Sequence, residues 1–187
     1  MPVYLGLSKR ISMQDESCKS SNVSIGLCNP KSPMNVGSVM RAAGCYKADS
    51  VLYTGDRYER AVKFNTDTRD AARSISLSQV EDLLEGGSAN RKVVCVELAE
   101  GAIPLPEFQH PDDVLYIFGP EDGTIDQKLV DRADAVVYVP TVGCMNLAAT
   151  VNVVLYDRLV KSDSYTANDA LIRESRDTNN RLKVVDN

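Results

Sequence analysis

Three polar stretches of the sequence have residue types and spacings that could support chemistry on a phosphate or an oxyanion. The first, residues 29–44, places Asn35 and Arg41 where a predicted strand gives way to a predicted helix. A strand, a Pro- and Asn-containing loop and a helix N-terminus form a good anion platform, because the first N–H groups of a helix have no partner within it. The same residues also fit a plain helix with Asn35 as its N-cap and Arg41 on its surface.

The other two stretches also follow predicted strands. Residues 118–125 contain two glycines, which allow close backbone approach, and Glu121 at the turn between them. Residues 139–149 contain Asn146 at the start of a predicted helix. Taken singly, Glu121 indicates only an acidic turn and Asn146 only a helix cap. In open α/β sheets, however, ligands bind beyond the carboxyl ends of the strands, which is where all three stretches lie.

The composition argues against several kinds of site. The chain has one histidine, His110, which leaves almost no material for a His-based metal site or a Ser-His-Asp triad. Its five cysteines form no Cys-x-x-Cys pair, which argues against a disulfide framework or a zinc site. The glycine-rich phosphate cradles of nicotinamide and P-loop proteins are missing. An enzyme built on this chain must work without a histidine base, and we predict no metal.

The elements that position these residues are those of an α/β fold. Five short runs of β-branched residues predict buried strands, with helical patterns between them. The strands are predicted at residues 23–28, 50–54, 93–97, 114–118 and 135–139, and the helices near 36–47, 78–86 and 125–133 and after Asn146. Because the strands are apolar throughout rather than alternating, we expect a mostly parallel, doubly wound sheet with helices on both faces.

Polar segments flank this core. Residues 1–22 lack periodicity and are interpreted as an N-terminal extension. Residues 162–187 are interpreted as a polar tail with either a short helix near 167–176 or no fixed structure. The charged segment 55–73 is longer than most loops, which is typical of a functional or a disordered segment. No apolar run reaches the ~20 residues needed to cross a membrane and no signal peptide is found, so a cytoplasmic protein is predicted.

Charge is distributed unevenly along the chain. The net charge of −5 at first argues against a nucleic-acid partner. Residues 1–73, however, carry a net charge of +4 and residues 74–187 one of −9. A polyanion would therefore meet the N-terminal part favourably, although unevenly spread solvated charge is the equally simple interpretation.

Taken together and in this order, the three stretches resemble the three motifs of the SpoU/TrmH family of RNA ribose methyltransferases, within the SPOUT superfamily. The segment 97–105 adds to the match, which covers about residues 23–160. The resemblance implies one methyltransferase domain at residues 23–161, a deep trefoil knot in its C-terminal part, and S-adenosylmethionine bound in the knot. It also implies a homodimer with each active site at the subunit interface. Connection rules alone would not predict a knot.

The resemblance also assigns individual residues. Asn35 and Arg41 match the Asn and Arg of the first motif. The Glu of the second motif matches Glu121, and the Asn of the third matches Asn146. Three further matches are to loops whose backbone cradles the cofactor in the family, and they contribute Val96, Glu97, Leu98, Gly119, Val139, Cys144, Met145 and Leu147. Cys144 departs from the Ser usual in the family, so a role of that hydroxyl does not carry over.

The implied reaction moves the sulfonium methyl group to a ribose 2′-hydroxyl, which requires alignment and the deprotonation of a weak acid. Alignment can supply ~7–11 kcal/mol. A guanidinium is a poor base, so we expect Arg41 to hold the phosphate of the target nucleotide and stabilise the developing alkoxide. Asn35 is expected to orient Arg41 or the ribose. Glu121 is expected to hold the cofactor loops or Arg41, and Asn146 to position RNA or brace the third loop.

Substrate RNA is expected along the basic N-terminal part, on the side chains of Lys31, Arg41, Arg57, Arg60 and Lys63. The absence of a separate RNA-binding domain ahead of the core favours tRNA, with rRNA as the alternative. Three other functions stay open: a non-catalytic RNA- or cofactor-binding relative, a base-methylating SPOUT enzyme, and a Rossmann-like oxidoreductase. Cys144 favours the first of these, and the missing glycine fingerprint argues against the last.

Overall fold

The described residues form a parallel sheet with helices packed against it. The computed structural model describes residues 22–62, 75–85 and 87–184. Its strands are β1 (Asn22–Leu27), β2 (Ser50–Tyr53), β3 (Ser76–Gln79), β4 (Lys92–Val96), β5 (Ile103–Pro104), β6 (Asp113–Phe118) and β7 (Ala135–Tyr138). Its helices are α1 (Pro33–Cys45), α2 (Arg57–Val62), α3 (Gln127–Val130), α4 (Leu147–Lys161) and α5 (Asp169–Ser175), with a 3₁₀ turn at Leu105–Glu107.

The sheet places the ends of its central strands side by side. The strand order is β3-β2-β1-β6-β4-β7-β5, and every neighbouring pair is parallel. Phe118 at the end of β6 pairs with Leu27 on one side and with Val96 on the other. Val96 in turn pairs with Val137 of β7. The loops that follow β1, β6, β4 and β7 therefore start next to one another at one edge of the sheet.

Side chains along β6 alternate between two cores. Val114 and Tyr116 lie in a core with α1 and α4, whereas Leu115 and Ile117 lie in a second core with Leu83 and residues of α3. These four strand side chains have no exposed surface. Burial of an aliphatic side chain of this size stabilises the fold by about 1.5–3 kcal/mol. The predicted parallel sheet with helices on both faces is confirmed.

A buried polar network anchors α4. The His110 side chain is 4% exposed, and its Nε2 donates to Asp157 Oδ2 at 2.8 Å. Burial lowers the pKa of His110 and favours the neutral ring, so with Nε2 as the donor, Nδ1 accepts from the Tyr116 hydroxyl, 2.6 Å away. Lys161 donates to the carbonyls of Leu105 and Phe108. His110 and Lys161 thus hold the C-terminal half of α4 against the segment before β6.

The structure departs from the sequence predictions at several elements. The predicted helix at 78–86 is wrong: Ser76–Gln79 pair with β2 as an edge strand, and turns follow. The pairing of Ser76–Gln79 with β2 overrides the local preference for a helix. Leu83, in the turns that follow, is buried in the second core. The helix predicted at 125–133 contracts to α3, and the short edge strands β3 and β5 were not predicted. The five predicted strands agree to within one residue, and the helix after Asn146 is confirmed as α4.

The tail forms the short helix α5 within the predicted range 167–176. The proposed extension 1–22 lies outside the described residues apart from Asn22. None of the described helices is long and apolar enough to cross a membrane. The described residues also contain no cluster of His, Cys, Asp and Glu that could hold a metal ion. The trefoil knot and the domain boundaries stay predictions.

Candidate active site

A cleft opens where the loops after β4, β6 and β7 meet. Seven of the eight residues predicted to cradle a cofactor line it, namely Val96, Glu97, Leu98, Gly119, Val139, Cys144 and Met145. The eighth, Leu147, is not among the lining residues, because it is 8% exposed and packs into the core at the start of α4. The parallel register of the central strands brings these three loops together, although they are far apart in sequence.

Glu121 stands at the rim of this cleft and binds the loop after β1. Its Oε2 accepts a hydrogen bond from the backbone amide of Lys31 at 2.8 Å. Its Oε1 accepts from the amide of Ser32 at 3.0 Å and from Asn35 Nδ2 at 3.0 Å. Both carboxylate oxygens are therefore engaged, and the second motif is tied to the first across about 90 residues.

Asn35 connects Glu121 to the third motif. While its Nδ2 donates to Glu121, its Oδ1 accepts from Asn146 Nδ2 at 2.9 Å. Asn146 Oδ1 in turn accepts from the amides of Ala148 and Ala149 in the first turn of α4. An amide side chain is needed at position 35 because it must donate on one side and accept on the other. The chain Glu121–Asn35–Asn146 joins three motifs in one hydrogen-bonded unit.

The two predicted helix caps have different outcomes. Asn146 caps α4, as its spacing indicates. Asn35 does not cap α1: the cap is Ser32, whose Oγ accepts from the amide of Asn35, and the helix starts at Pro33. Pro33 suits the first helical position because its missing N–H is not needed there. The earlier start leaves the Asn35 side chain free to bind Glu121 and Asn146.

The hydrogen bonds to Glu121 keep it ionised. Partial burial raises the pKa of this carboxyl, but the hydrogen bonds from the Asn35 side chain and the Lys31 and Ser32 amides outweigh that effect. They hold the pKa below its ordinary value of 4.5. A carboxylate with both oxygens engaged and a lowered pKa is a weak proton acceptor. Its geometry suits holding the loops rather than acting as a general base.

We expect Glu121 to make stability depend on pH below about 4.5. Because folding lowers its pKa, its contribution is complete above the unfolded value of 4.5 and is lost as the pH falls through the folded value. Urea unfolding at about pH 6 and about pH 3 should show a smaller drop in the free energy of unfolding for Glu121→Gln than for the wild type. The control is Glu100→Gln, since Glu100 is exposed and makes no hydrogen bond in the described part of the chain. Equal drops for Glu121→Gln and the wild type would contradict the argument.

Glu97 braces two of the three cleft loops. Its Oε1 accepts from the amide of Leu98 at 3.0 Å, and its Oε2 accepts from the amide of Ile125 at 3.1 Å. Gly119 lies against this carboxylate: a Cβ there would come within 3.2 Å of Glu97 Oε2. Glycine at position 119 therefore leaves room for both the Glu97 carboxylate and the cleft.

Comparison with known proteins identifies the family. A family model described as the SpoU rRNA Methylase family matches residues 22–156. The chain belongs to this family. The match spans all the strands of the sheet and ends inside α4.

Individual SpoU-like proteins are similar to the chain at low identity. The tRNA (cytidine-2′-O-)-methyltransferase TrmJ of Methanocaldococcus jannaschii is 26% identical over 181 residues, which cover 87% of this chain and 78% of TrmJ. The structure of the A. aeolicus TrmH/SpoU tRNA modifying enzyme matches with a TM-score of 0.61 at 14% identity, over 75% of each chain. The SpoU methyltransferase AviRb from Streptomyces viridochromogenes, in complex with AdoMet, matches with a TM-score of 0.61 at 18% identity, over 74% of this chain and 60% of AviRb. The two structures show a shared fold.

Arg41 of this SpoU chain lies apart from the cleft. It is exposed on α1, six residues and about 9 Å of helix rise beyond Asn35. It does not line the cleft and makes no hydrogen bond or ion pair with any described residue. Within the described part of the chain, the Arg41 guanidinium is unpaired and is not among the groups that line the cleft.

The other predicted RNA-binding residues have different surroundings. Arg57 and Lys31 both pair with Asp122, next to Glu121 in the second-motif loop. Arg60 pairs with Asp56 on α2, and its side chain is 73% exposed. Lys63 lies outside the described residues. Of this set, Lys31 and Arg57 lie at the rim of the SpoU cleft.

Sequence reasoning did not assign a role to six of the residues that line the SpoU cleft. Four of them, Phe118, Pro120, Gly123 and Thr141, lie within the stretches it singled out, and Tyr138 and Thr150 lie just outside. Most of them lie close in sequence to Gly119 or Val139, and that proximity is the signal by which the sequence could have identified them. Cys144, which replaces the usual Ser, is exposed in the cleft wall.

We expect Gly119→Val to weaken the binding of S-adenosylmethionine. The new side chain would fill space beside the Glu97 carboxylate and inside the cleft. Isothermal titration calorimetry should show a dissociation constant about tenfold higher or more, since overpacking costs about 1–3 kcal/mol. The control is Gly143→Ala in the third loop, where an added Cβ meets nothing within 4 Å. Unchanged affinity in Gly119→Val would contradict the placement of the cofactor.

Proposed function

We propose that this SpoU chain transfers the methyl group of S-adenosylmethionine to a ribose 2′-hydroxyl of tRNA. The observation that carries the proposal is the hydrogen-bonded unit of Glu121, Asn35 and Asn146 at the rim of the cleft. The unit joins the three family motifs in one place, so Glu121, Asn35 and Asn146 serve one site. No other cluster among the described residues joins all three motifs.

The cleft residues fit the cofactor. The walls come from three loops at the carboxyl ends of neighbouring strands, and Gly119 keeps one wall open at the level of its backbone. The carboxylates of Glu97 and Glu121 line the cleft, which favours a ligand that carries positive charge. When bound, S-adenosylmethionine supplies an activated methyl group on a cationic sulfur. Glu97 and Glu121 would hold the loops around it through the backbone contacts described above.

Arg41 is the residue that would activate the ribose. A guanidinium stays protonated, so it stabilises a phosphate or an alkoxide rather than removing a proton. Since Arg41 does not line the cleft of its own chain, we place it at the cleft of a second copy, in a homodimer. Each active site would then combine the cofactor loops of one subunit with the Arg41 of the other.

The choice of tRNA rests on two observations. TrmJ, 26% identical, is named as a tRNA methyltransferase that acts on a cytidine 2′-oxygen. The described cations at the cleft rim are few, Lys31 and Arg57, and both are partly neutralised by Asp122. Such a rim suits local recognition of one phosphate rather than an extended basic surface. Ribosomal RNA is the alternative, as the family description refers to rRNA.

The decisive experiment measures transfer of labelled methyl from S-adenosylmethionine to unmodified tRNA and, in a separate reaction, to unmodified rRNA. Digestion to nucleosides should show a 2′-O-methylated nucleoside from the tRNA. A methyl group on a base would replace the proposal with base methylation. Cofactor binding without transfer to either RNA would favour a non-catalytic relative, and transfer to rRNA alone would correct the substrate.

A further inference from the structure

Asp122, the residue after Glu121, joins the rim of the cleft to helix α2. Its two carboxylate oxygens accept hydrogen bonds from the two terminal nitrogens of Arg57, at 2.9 and 2.8 Å. Lys31 Nζ lies 3.5 Å from the same carboxylate. A paired guanidinium and carboxylate fix orientation as well as distance, which an ammonium does not. The Arg57 side chain is 28% exposed and that of Lys31 63%, so Arg57 is the more firmly held cation.

Among the described residues, helix α2 has few other anchors. None of its residues is buried. The ring of Tyr58 meets that of Tyr53 edge-on at a centroid distance of 5.1 Å, and Glu59 accepts a hydrogen bond from the Tyr53 hydroxyl. Both contacts hold α2 to β2. Arg57 provides the described ion pair that ties α2 to the loop after β6, which carries Glu121.

Glu121 and Asp122 therefore have separate partners. Glu121 binds the backbone of the Lys31 segment, and Asp122 binds the side chains of Lys31 and Arg57. The two adjacent carboxylates thus hold Lys31 at its main chain and at its ammonium group. Lys31, Arg57, Asp122 and the ionised Glu121 together carry no net charge, so a phosphate at the rim would be held by the direction of the Arg57 and Lys31 donors and not by an excess of positive charge.

We infer that Asp122 is a positioning residue for the RNA substrate, which holds Arg57 and Lys31 in a fixed arrangement beside the cleft. The inference rests on the proposed function. Asp122 itself repels a phosphate, so its contribution is orientation and not attraction. Loss of the Asp122 carboxylate is therefore expected to change RNA affinity and turnover in opposite directions. Removing the carboxylate leaves two unpaired cations, which strengthens RNA binding, but it frees them to move, which lowers turnover.

The test compares Asp122→Asn with the wild type in steady-state methylation of unmodified tRNA, with separate titrations of S-adenosylmethionine and of tRNA. We expect kcat to fall about tenfold or more, because misplacement of a substrate by 1 Å can cost about 100-fold. The dissociation constant of tRNA should stay equal or become lower, and that of S-adenosylmethionine should not change. Arg57→Lys keeps the charge but loses the paired geometry, so its kcat should fall as well. The double variant should be no worse than the worse single variant, since both act through one pair.

The matched control is Asp56→Asn, which removes the carboxylate that pairs with Arg60 on the same helix. It should leave kcat unchanged. Wild-type kcat in Asp122→Asn would overturn the inference, and so would a loss of kcat matched by an equal loss of S-adenosylmethionine affinity. If Asp122→Asn fails to fold, as judged by circular dichroism, Arg57→Lys alone decides the question. Wild-type protein that transfers no methyl group would instead refute the proposed function, and this inference with it.

Discussion

Arg41→Ala is expected to lower kcat/KM for methyl transfer to tRNA about 100- to 1,000-fold, the usual cost of removing a donor that stabilises a developing oxyanion. The dissociation constant of S-adenosylmethionine should not change, because Arg41 is proposed to act on the ribose and its phosphate and not on the cofactor. Single-turnover methylation and calorimetry measure the two quantities. The control is Lys128→Ala on α3, where the side chain of an exposed lysine makes no hydrogen bond or ion pair with a described residue. Wild-type turnover in Arg41→Ala would refute the role of Arg41.

A mixing experiment tests which subunit supplies Arg41. At S-adenosylmethionine concentrations well below the wild-type dissociation constant, Arg41→Ala is expected to be inactive for lack of the guanidinium. Gly119→Val is expected to keep at most about a tenth of the wild-type activity, because its cofactor affinity is about tenfold lower. In a heterodimer, the intact cleft of the first would receive Arg41 from the second. After subunit exchange in an equal mixture, about a quarter of the wild-type activity should return, because half of the dimers are mixed and each has one complete site. No recovery would place Arg41 in the site of its own chain.

Glu121→Gln is expected to reduce kcat about 100-fold, which is the cost of misplacing reacting groups by about 1 Å. The glutamine keeps one carbonyl oxygen, but its NH₂ group faces the amides and the Asn35 donor that Glu121 accepts from. One of these donors must lose its partner, and the loop that carries Lys31 and Ser32 is then no longer fixed. Asn35 is released with it, which loosens the contact to Asn146. The affinity for S-adenosylmethionine should also decrease, since Glu121 lines the cleft.

Two further variants distinguish this effect from a loss of charge. Glu121→Asp keeps the carboxylate but is one methylene shorter, so it cannot reach all three donors, and we expect an intermediate kcat. Glu100→Gln removes an exposed carboxylate from the loop after β4 and should behave as the wild type. If Glu121→Asp were fully active, charge alone would explain the role of Glu121. If Glu121→Gln kept the wild-type kcat, the hydrogen-bonded unit would not support catalysis.

Local patterns predicted most of the sheet. The runs at 114–118 and 135–139 consist of residues that pack well on a pleated, buried surface, and both form central parallel strands. The same reasoning failed at 78–86, where a helix was predicted. Residues 78 and 79 instead belong to β3, which pairs with β2, and Leu83 in the turns that follow is buried in the second core. Pairing with a distant strand is not encoded within a short window, so pattern reasoning could not detect it.

The partners of the site residues could be predicted less well than the residues themselves. The type and spacing of Asn35, Glu121 and Asn146 marked them out, but the structure shows what each one touches. Asn35 was predicted to cap α1, whereas Ser32 does so and Asn35 bridges two motifs. Arg57 was predicted to bind RNA, and its guanidinium pairs with Asp122, 65 residues away. These partners depend on orientation to within about 1 Å, which sequence spacing does not specify.

The sequence by itself determined the α/β class, the central strands and the residues able to do chemistry. The reason is that burial and backbone preferences act locally and leave a pattern in neighbouring residues. Only the tertiary structure decided the strand order and the partners of each charged side chain. It also showed that the side chain of the one histidine, His110, which lies in the loop before β6, is a buried anchor of α4. Strand order and ion pairing are settled by contacts between segments that are distant along the chain, and each such contact depends on how all the other segments pack.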